Sequence, residues 1–464
     1  MHCEASALTR MWCIMKGNML IQNGTMYLQK KEEVGDLRIK SGVISTIATG
    51  GGLEPNEEEV VIDATGLHLL PGAIDPHVHF RDPGQPEKED LESGSRAAAS
   101  GGITSFLDMP NNIPNAIDRK TIQSKLDIAA KKCVTHHGFF VGATKGNLPD
   151  IQSVEGMTGV CGIKIFMGSS TGDLLVHEQG DLEKIFSNTG GIIAVHAEDE
   201  NRLQERHGHF KDRTDIAAHA EYRDTECAMI ATKRAVSLAE EHEHRLHIVH
   251  LTSAEEANWL PSRKGDLVTT EVCVQHLTFD DRDMEELGTR GLVNPPIRYE
   301  EDKEALWRRL HDGTIDCVVT DHAPHSLESK SVGYPGSPAG MPGVETSLPL
   351  MLTHAMNGRC KVRDVVRWMS EGPAKVYGMK NKGSLVEGND GDLAIVDLDN
   401  WRTASDSETW TRVGWTPYDG MKLTGWPSYT VVDGEVIHLR GSNDSLKGQS
   451  IGLPGASGRA LTFS

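Results

Sequence analysis

Apolar positions along the chain follow two regimes. From Met19 to Ile62, short runs of alternating apolar and polar residues are broken by turn residues, the period-two pattern of half-buried β-strands. Asn23-Gly24 predicts a hairpin there, and Ser41-Gly42 separates two further runs. The same texture returns near the other end, in DLAIVD (392–397) and SYTVVDGEVIHL (428–439), the latter with Asp433-Gly434 as its turn. Neither flank carries enough apolar surface for a core of its own. The two are therefore expected to pack together as one small, discontinuous β-sandwich domain built from residues 19–65 and 381–442.

Between 66 and 380 near-continuous apolar runs alternate with stretches of helical period, the order of a parallel α/β fold whose strands are buried on both faces. Eight strands are expected, near 69–76, 103–109, 136–142, 161–167, 192–197, 246–251, 267–274 and 315–320. Helical spacing is clear in Ile122, Leu126 and Ala129, and again in Ala228, Ala231, Ala235 and Leu238. Eight such units predict an α/β fold of the (β/α)8 TIM-type barrel class. Residues 1–18 read as an N-terminal extension, and 443–464, rich in Gly and Ser, as a flexible tail. The Gly- and Pro-rich run 325–343 lacks helical period and reads as a mobile loop over the mouth of the barrel.

Polar residues at the strand ends turn the picture from fold to chemistry. His77, His79, Lys164, His196, His250 and Asp321 all fall at or near the C-terminal ends of predicted strands, where barrel enzymes gather catalytic groups. The His-x-His spacing alone says little, because 21 His in 464 residues give about one such pair by chance. His207 with His209 and His242 with His244 share it, in polar surroundings that read as solvated surface. His77 and His79 differ in ending the apolar run LLPGAI, and Arg81 continues the same strand face. Two imidazoles beside a guanidinium suit a metal next to an anionic ligand. Lys164 cannot ligate as an ammonium. Burial would lower its pKa, and the neutral amine could take up carbon dioxide as a carbamate, an anionic ligand with two oxygens. The alternative is an ion pair with Asp75 or Asp108.

Charge narrows the partners. With 67 acidic against 47 basic residues the net charge is −20, which repels nucleic acid and anionic membrane surfaces. An anionic small-molecule substrate must then be captured by local cations such as Arg81. The eight cysteines are scattered without a framework spacing, which fits reduced thiols in the cytoplasm, and Cys161, Cys273 and Cys317 read as small buried hydrophobes. No secretory h-region and no run of 18 apolar residues is present.

The segments DPHVHFRDPGQPEKED, GGITSFLDMPNNIPN, GIKIFMGSSTGD, AVHAEDE, IVHLTSAEE, VNPPIR and TDHAPHS closely resemble the dihydroorotases of the amidohydrolase superfamily. Within them the resemblance is to the subset with a lysine, here Lys164, where many relatives carry a bridging aspartate. It implies a zinc-dependent hydrolase that reversibly opens the cyclic amide of dihydroorotate to N-carbamoyl-aspartate in pyrimidine biosynthesis. It implies two zinc ions, one held by His77, His79 and Asp321, the other by His196 and His250, bridged by carboxylated Lys164. Asp321 would also carry the proton from the attacking water to the leaving nitrogen. Arg81 would take the substrate carboxylate with Asn111 and His325, and Asn294 the ring ureide. Read from the residues alone, Asn111 and Asn294 also fit turn chemistry beside Pro110 and Pro295.

Two alternatives stand beside this reading. Hydantoinases (dihydropyrimidinases) and allantoinases are similar hydrolases of cyclic ureides without the carboxylate. They generally lack the arginine, and dihydropyrimidinases carry a tyrosine soon after the lysine, where this chain has Gly168, Ser169 and Ser170. The non-catalytic alternative is a dihydroorotase-like scaffold for aspartate transcarbamoylase, which the complete ligand set argues against. For assembly the family implies a homodimer, and association with aspartate transcarbamoylase is compatible with it.

Overall fold

The structure, a computed structural model, describes residues 17–168, 172–440, 450–452 and 458–464. Most of the N-terminal extension, Ser169, Ser170 and much of the expected tail lie outside the described residues. The first flank forms β1 (Met19–Tyr27), β2 (Glu32–Lys40), β3 (Val43–Thr49), β4 (Val60–Asp63) and β5 (His68–Pro71). Eight parallel strands follow: β6 (Ala73–Val78), β7 (Ile103–Asp108), β8 (His136–Gly142), β9 (Val160–Phe166), β10 (Ile193–His196), β11 (Leu246–Ile248), β12 (Val268–Cys273) and β13 (Cys317–Val319). The return segment gives β14 (Leu393–Val396), β15 (Trp401–Thr403), β16 (Lys422–Thr424), β17 (Pro427–Val432), β18 (Glu435–Arg440) and β19 (Ser450–Gly452).

Strands β6 to β13 pair in chain order and curl into a nearly closed TIM-type barrel. At the seam, the His79 N–H donates to the His322 carbonyl at 2.8 Å and the Thr320 hydroxyl to Asp75 at 2.5 Å. Burial pushes the Asp75 carboxyl up to about 7. Alternation along the strands sorts the two faces. In β10, Ala194 joins the cluster inside the barrel while Ile193 and Val195 pack outward against the helices. The predicted periodic helices form as Arg119–Lys132 and Thr225–Glu241, with Ile122, Ala129, Ala228, Ala231, Ala235 and Leu238 buried.

The flanks share one nine-stranded sheet, because β14 pairs antiparallel with β5 on one side and β17 on the other. Met19, Leu37, Leu69, Leu393 and Val431 meet in its core. The expected strand 69–76 is in fact two: β5 belongs to this sheet and β6 to the barrel. The chain crosses between them at Gly72, where a β-carbon would lie 2.2 Å from the Thr104 hydroxyl. Asn23-Gly24 is a bulge inside β1 rather than a hairpin. Asn23 has φ of 63°, and a β-carbon on Gly24 would lie 2.1 Å from Leu69 Cδ1 as that side chain is packed.

The flexible-tail expectation fails for residues 458–464. Leu461 donates to the His137 carbonyl and accepts from Gly159, both at 2.9 Å, and the Ser464 N–H donates to the Gly378 carbonyl at 3.0 Å. Leu461 is buried with Phe140, Cys161 and Tyr377, and Phe463 packs against them. The Gly and Ser content masked these two apolar anchors. Cys161, Cys273 and Cys317 are buried in the same cluster. His207 and His209 are exposed as expected, but His244 is buried, its Nε2 2.9 Å from the Thr189 carbonyl, which replaces the water it was expected to face. Among the described residues no helix is long and apolar enough to cross a membrane.

If the C-terminal segment is docked as described, Leu461→Ala removes a buried side chain and lowers the unfolding free energy by about 2–4 kcal/mol. A denaturant midpoint equal to that of the unaltered protein would contradict the docking.

Candidate active site

One cavity of about 150 Å³ opens at the C-terminal end of the barrel. It is lined by His77, His79, Arg81, Asn111, Lys164, His196, His250, Asn294, Asp321 and His325, all the residues that the sequence singled out, together with Phe166, Ala323, Ala339 and Gly340. The strands explain the convergence. His77 is the penultimate residue of β6, Lys164 lies two residues before the end of β9, His196 closes β10, and His250 and Asp321 follow β11 and β13 by two residues. Three of these side chains are aimed by left-handed backbone: φ is 60° at Arg81, 41° at His250 and 49° at Asp321. Such conformations cost a non-glycine residue about 1–2 kcal/mol each, and the packed barrel end sustains them.

Fixed acceptors behind the imidazoles decide which ring nitrogens face inward. The Glu271 carboxylate can only accept, so His77, 2.5 Å away, donates through Nδ1 and presents Nε2 to the cavity. His79 likewise donates Nδ1–H to the Asn111 side-chain oxygen at 2.6 Å. His196 donates Nε2–H to Glu198 at 2.7 Å, which leaves Nδ1 facing His250 Nε2 at 2.8 Å. Glu198 is itself held by Arg223 at 2.6 Å, and Glu271 also accepts from His247 at 2.9 Å. Burial works against both carboxylates. Arg223 first, then His196, keeps Glu198 at about 2, and His77 with His247 keeps Glu271 well below the usual range.

The inward atoms form a donor set for a cation. Nε2 of His77 and of His79 lie 3.3 and 2.9 Å from Asp321 Oδ1, with their ring protons committed elsewhere. These three side chains have ligand atoms within 4.8 Å of one another. Burial opposes ionisation of Asp321, but the imidazoles of His77 and His79 beside it hold its carboxyl at about 2. Electron-rich atoms converging without a proton between them are what a divalent metal requires. A second cluster of His136, Asp392 and Asp433 lacks that character, because the Lys382 ammonium already bonds Asp392 and, at 2.8 Å, Asp390.

Lys164 is not paired with either acid considered for it. Asp75 bonds Thr320, and Asp108 bonds Lys125 at 2.6 Å. The Lys164 amine is buried and has no hydrogen-bond partner among the described residues, and burial brings it down to about 8. The Arg81 guanidinium, also buried, donates no hydrogen bond to any described residue. Burial, then the charge of Arg81, drives His325 down to about 2, so its imidazole is neutral.

Glu271, Glu198 and Phe166 were not singled out above. The signal for Glu271 is a lone acid in the buried strand sequence VTTEVC, and for Glu198 an acid two residues after His196. Asn111 acts on His79 as well as lining the cavity, a contact that spacing does not reveal. The run 325–343 does border the cavity, through Ala339 and Gly340, but it is fastened rather than loose: it contains the helix Leu327–Lys330, and the Gly340 N–H donates to the Leu292 carbonyl at 2.8 Å.

Known proteins share both the sequence and this architecture. A dihydroorotase of Methanosarcina acetivorans is 34% identical over 452 residues, covering 95% of this chain and 96% of that protein. An allantoinase of Streptomyces avermitilis is 34% identical over 391 residues, covering 82% of this chain and 86% of that protein. The L-hydantoinase (dihydropyrimidinase) structure from Arthrobacter aurescens superposes with a TM-score of 0.90 at 29% identity, covering 96% of this chain and 99% of that one. The model of the amidohydrolase family matches residues 68–437. By sequence over nearly its whole length and by its barrel, the chain belongs to the amidohydrolase family.

Proposed function

We propose that this protein is a dihydroorotase, a hydrolase of the cyclic amide of dihydroorotate that yields N-carbamoyl-aspartate and runs in reverse to close the ring. The observation that carries the reading is the Arg81 guanidinium, buried at the cavity beside the metal-ligand set with no hydrogen bond to a described residue. A planar carboxylate compensates that charge through two parallel hydrogen bonds. A neutral ureide such as allantoin or dihydrouracil would leave it buried without a hydrogen-bonded anion, with only the more distant charges of Asp321, Asp108 and Glu89 to offset it. The dihydroorotases among the relatives support the same choice.

Each residue then has a role. Arg81 grips the carboxylate, with neutral His325 and the amide of Asn111 beside it. Asn294 faces the ring ureide. His77, His79 and Asp321 would hold one zinc ion and His196 and His250 a second, with Lys164 between them as its carbamate. The carbamate forms when the amine nitrogen bonds the carbon of carbon dioxide and releases a proton, which turns a buried amine without a partner into an anionic ligand. Zinc bound there would supply Lewis acidity toward the ring carbonyl and a water of lowered pKa. Asp321, ionised and directed into the cavity, takes the proton of the attacking water and returns it to the ring nitrogen as the C–N bond breaks. In the direction of ring closure the same carboxylate removes the proton from the ureido nitrogen.

Arg81→Met should lower kcat/KM for dihydroorotate by about 10²- to 10³-fold, mostly through KM. Steady-state kinetics reads this, and a loss below threefold would remove the carboxylate role. Asp321→Asn should lower kcat by at least about 10²-fold. Equilibrium binding of the unreactive analogue orotate should meanwhile stay within about threefold. Near-normal turnover in that variant would contradict the proton transfer.

A further inference from the structure

Lys330 ends the short helix Leu327–Lys330 and is 1% exposed, yet no carboxylate is bonded to it among the described residues. Its ammonium is held by three carbonyl oxygens, those of Leu292 at 3.2 Å and of Pro338 and Gly340 at 2.9 Å each. Three acceptors around one nitrogen call for three protons, hence for the charged form. Burial pulls the group the other way, toward about 7. An expensive buried charge is thus spent on holding backbone, and the backbone it holds is specific. Pro338 and Gly340 bracket Ala339, and Ala339 with Gly340 forms one wall of the cavity. The Leu292 carbonyl also accepts the Gly340 N–H at 2.8 Å and stands two residues before Asn294.

That wall touches the carboxylate end of the site. The His325 ring interacts with the Ala339 carbonyl, and a β-carbon on Gly340 would lie 3.1 Å from His325 Cδ2. Gly340 has φ of 134°, so glycine alone lets the chain pass this close. The Trp415 indole N–H donates to the His325 carbonyl at 2.8 Å and fixes the main chain of that residue. The ring is therefore located by the Ala339–Gly340 wall, and the wall by the Lys330 ammonium together with the Gly340–Leu292 backbone bond.

We propose that Lys330 is a positioning residue for substrate specificity. By pinning Pro338 and Gly340 to Leu292 it sets the His325 imidazole against the carboxylate held by Arg81. This rests on the dihydroorotase reading above and deepens it. A lysine that merely satisfied loop carbonyls would affect stability, but not the carboxylate end of the substrate in particular.

The test is Lys330→Met in the metal-loaded full chain, alone and combined with His325→Ala, with Lys330→Gln as a second variant that keeps an N–H donor. The KM for dihydroorotate should rise about tenfold with kcat within about twofold, the pattern of lost ground-state and transition-state binding in equal measure. In the His325→Ala background the further rise should shrink to under about twofold, because the two residues act as one unit. In the ligand-free enzyme, amide hydrogen exchange over residues 331–343 should be faster in Lys330→Met. Unchanged KM in a folded variant, equal proportional losses in both backgrounds, or neither variant folding would each overturn the proposal. The exchange experiment needs no substrate, so failure of the wild type to turn over dihydroorotate would sink the functional reading alone, while unchanged exchange would sink the pin alone.

Discussion

The whole arrangement depends on the burial of four imidazoles, an amine and a guanidinium around one small cavity. Each pays desolvation, which pushes His79, His196 and His250 toward their neutral forms. Neutral rings are useful as ligands only if the bare nitrogen faces inward. Glu271, Glu198 and Asn111 impose that by accepting the outer proton of His77, His196 and His79. The cavity is left rich in lone pairs on one side and holds a guanidinium without a hydrogen-bonded anion on the other. Such an interior suits a bound cation on the first side and a bound anion on the second.

The fold serves this constraint from both ends. At the C-terminal face, left-handed backbone at Arg81, His250 and Asp321 turns side chains inward, and the Asp75–Thr320 bond closes the seam beneath them. Deeper in the barrel, Cys161, Phe140 and Tyr377 fill the interior, and Leu461 and Phe463 come back from the chain end to complete it. The outer sheet joins both flanks through β14, so a chain that departs at Gly72 returns to the same place after the barrel is built.

Much of this was legible in the sequence. Buried strands read as apolar runs, and a polar residue ending such a run had to be explained, which brought out His77, His196, His250 and Asp321. What stayed hidden depended on long-range partners. Glu271 looks like any strand residue until its distance from His77 is known, 194 positions earlier in the chain. The bulge at Asn23 carries the dipeptide of a hairpin turn and is decided by Leu69 packing over Gly24. Leu461 and Phe463 sit in a stretch of small polar residues, and only their partners in the barrel reveal them as core. The run 325–343 reads as loose because its anchor is a lysine bonded to carbonyls, an interaction without a sequence pattern.

The central claim is that an anionic cyclic amide, not a neutral one, completes the cavity. The most direct measurement compares the wild-type, zinc-loaded enzyme, supplied with bicarbonate, on L-dihydroorotate, allantoin and dihydrouracil. The account predicts kcat/KM for dihydroorotate at least about 10²-fold above that for either neutral ureide, the discrimination expected when a buried charge is paired by one substrate and left bare by the others. Equal or better turnover of allantoin or dihydrouracil would contradict it.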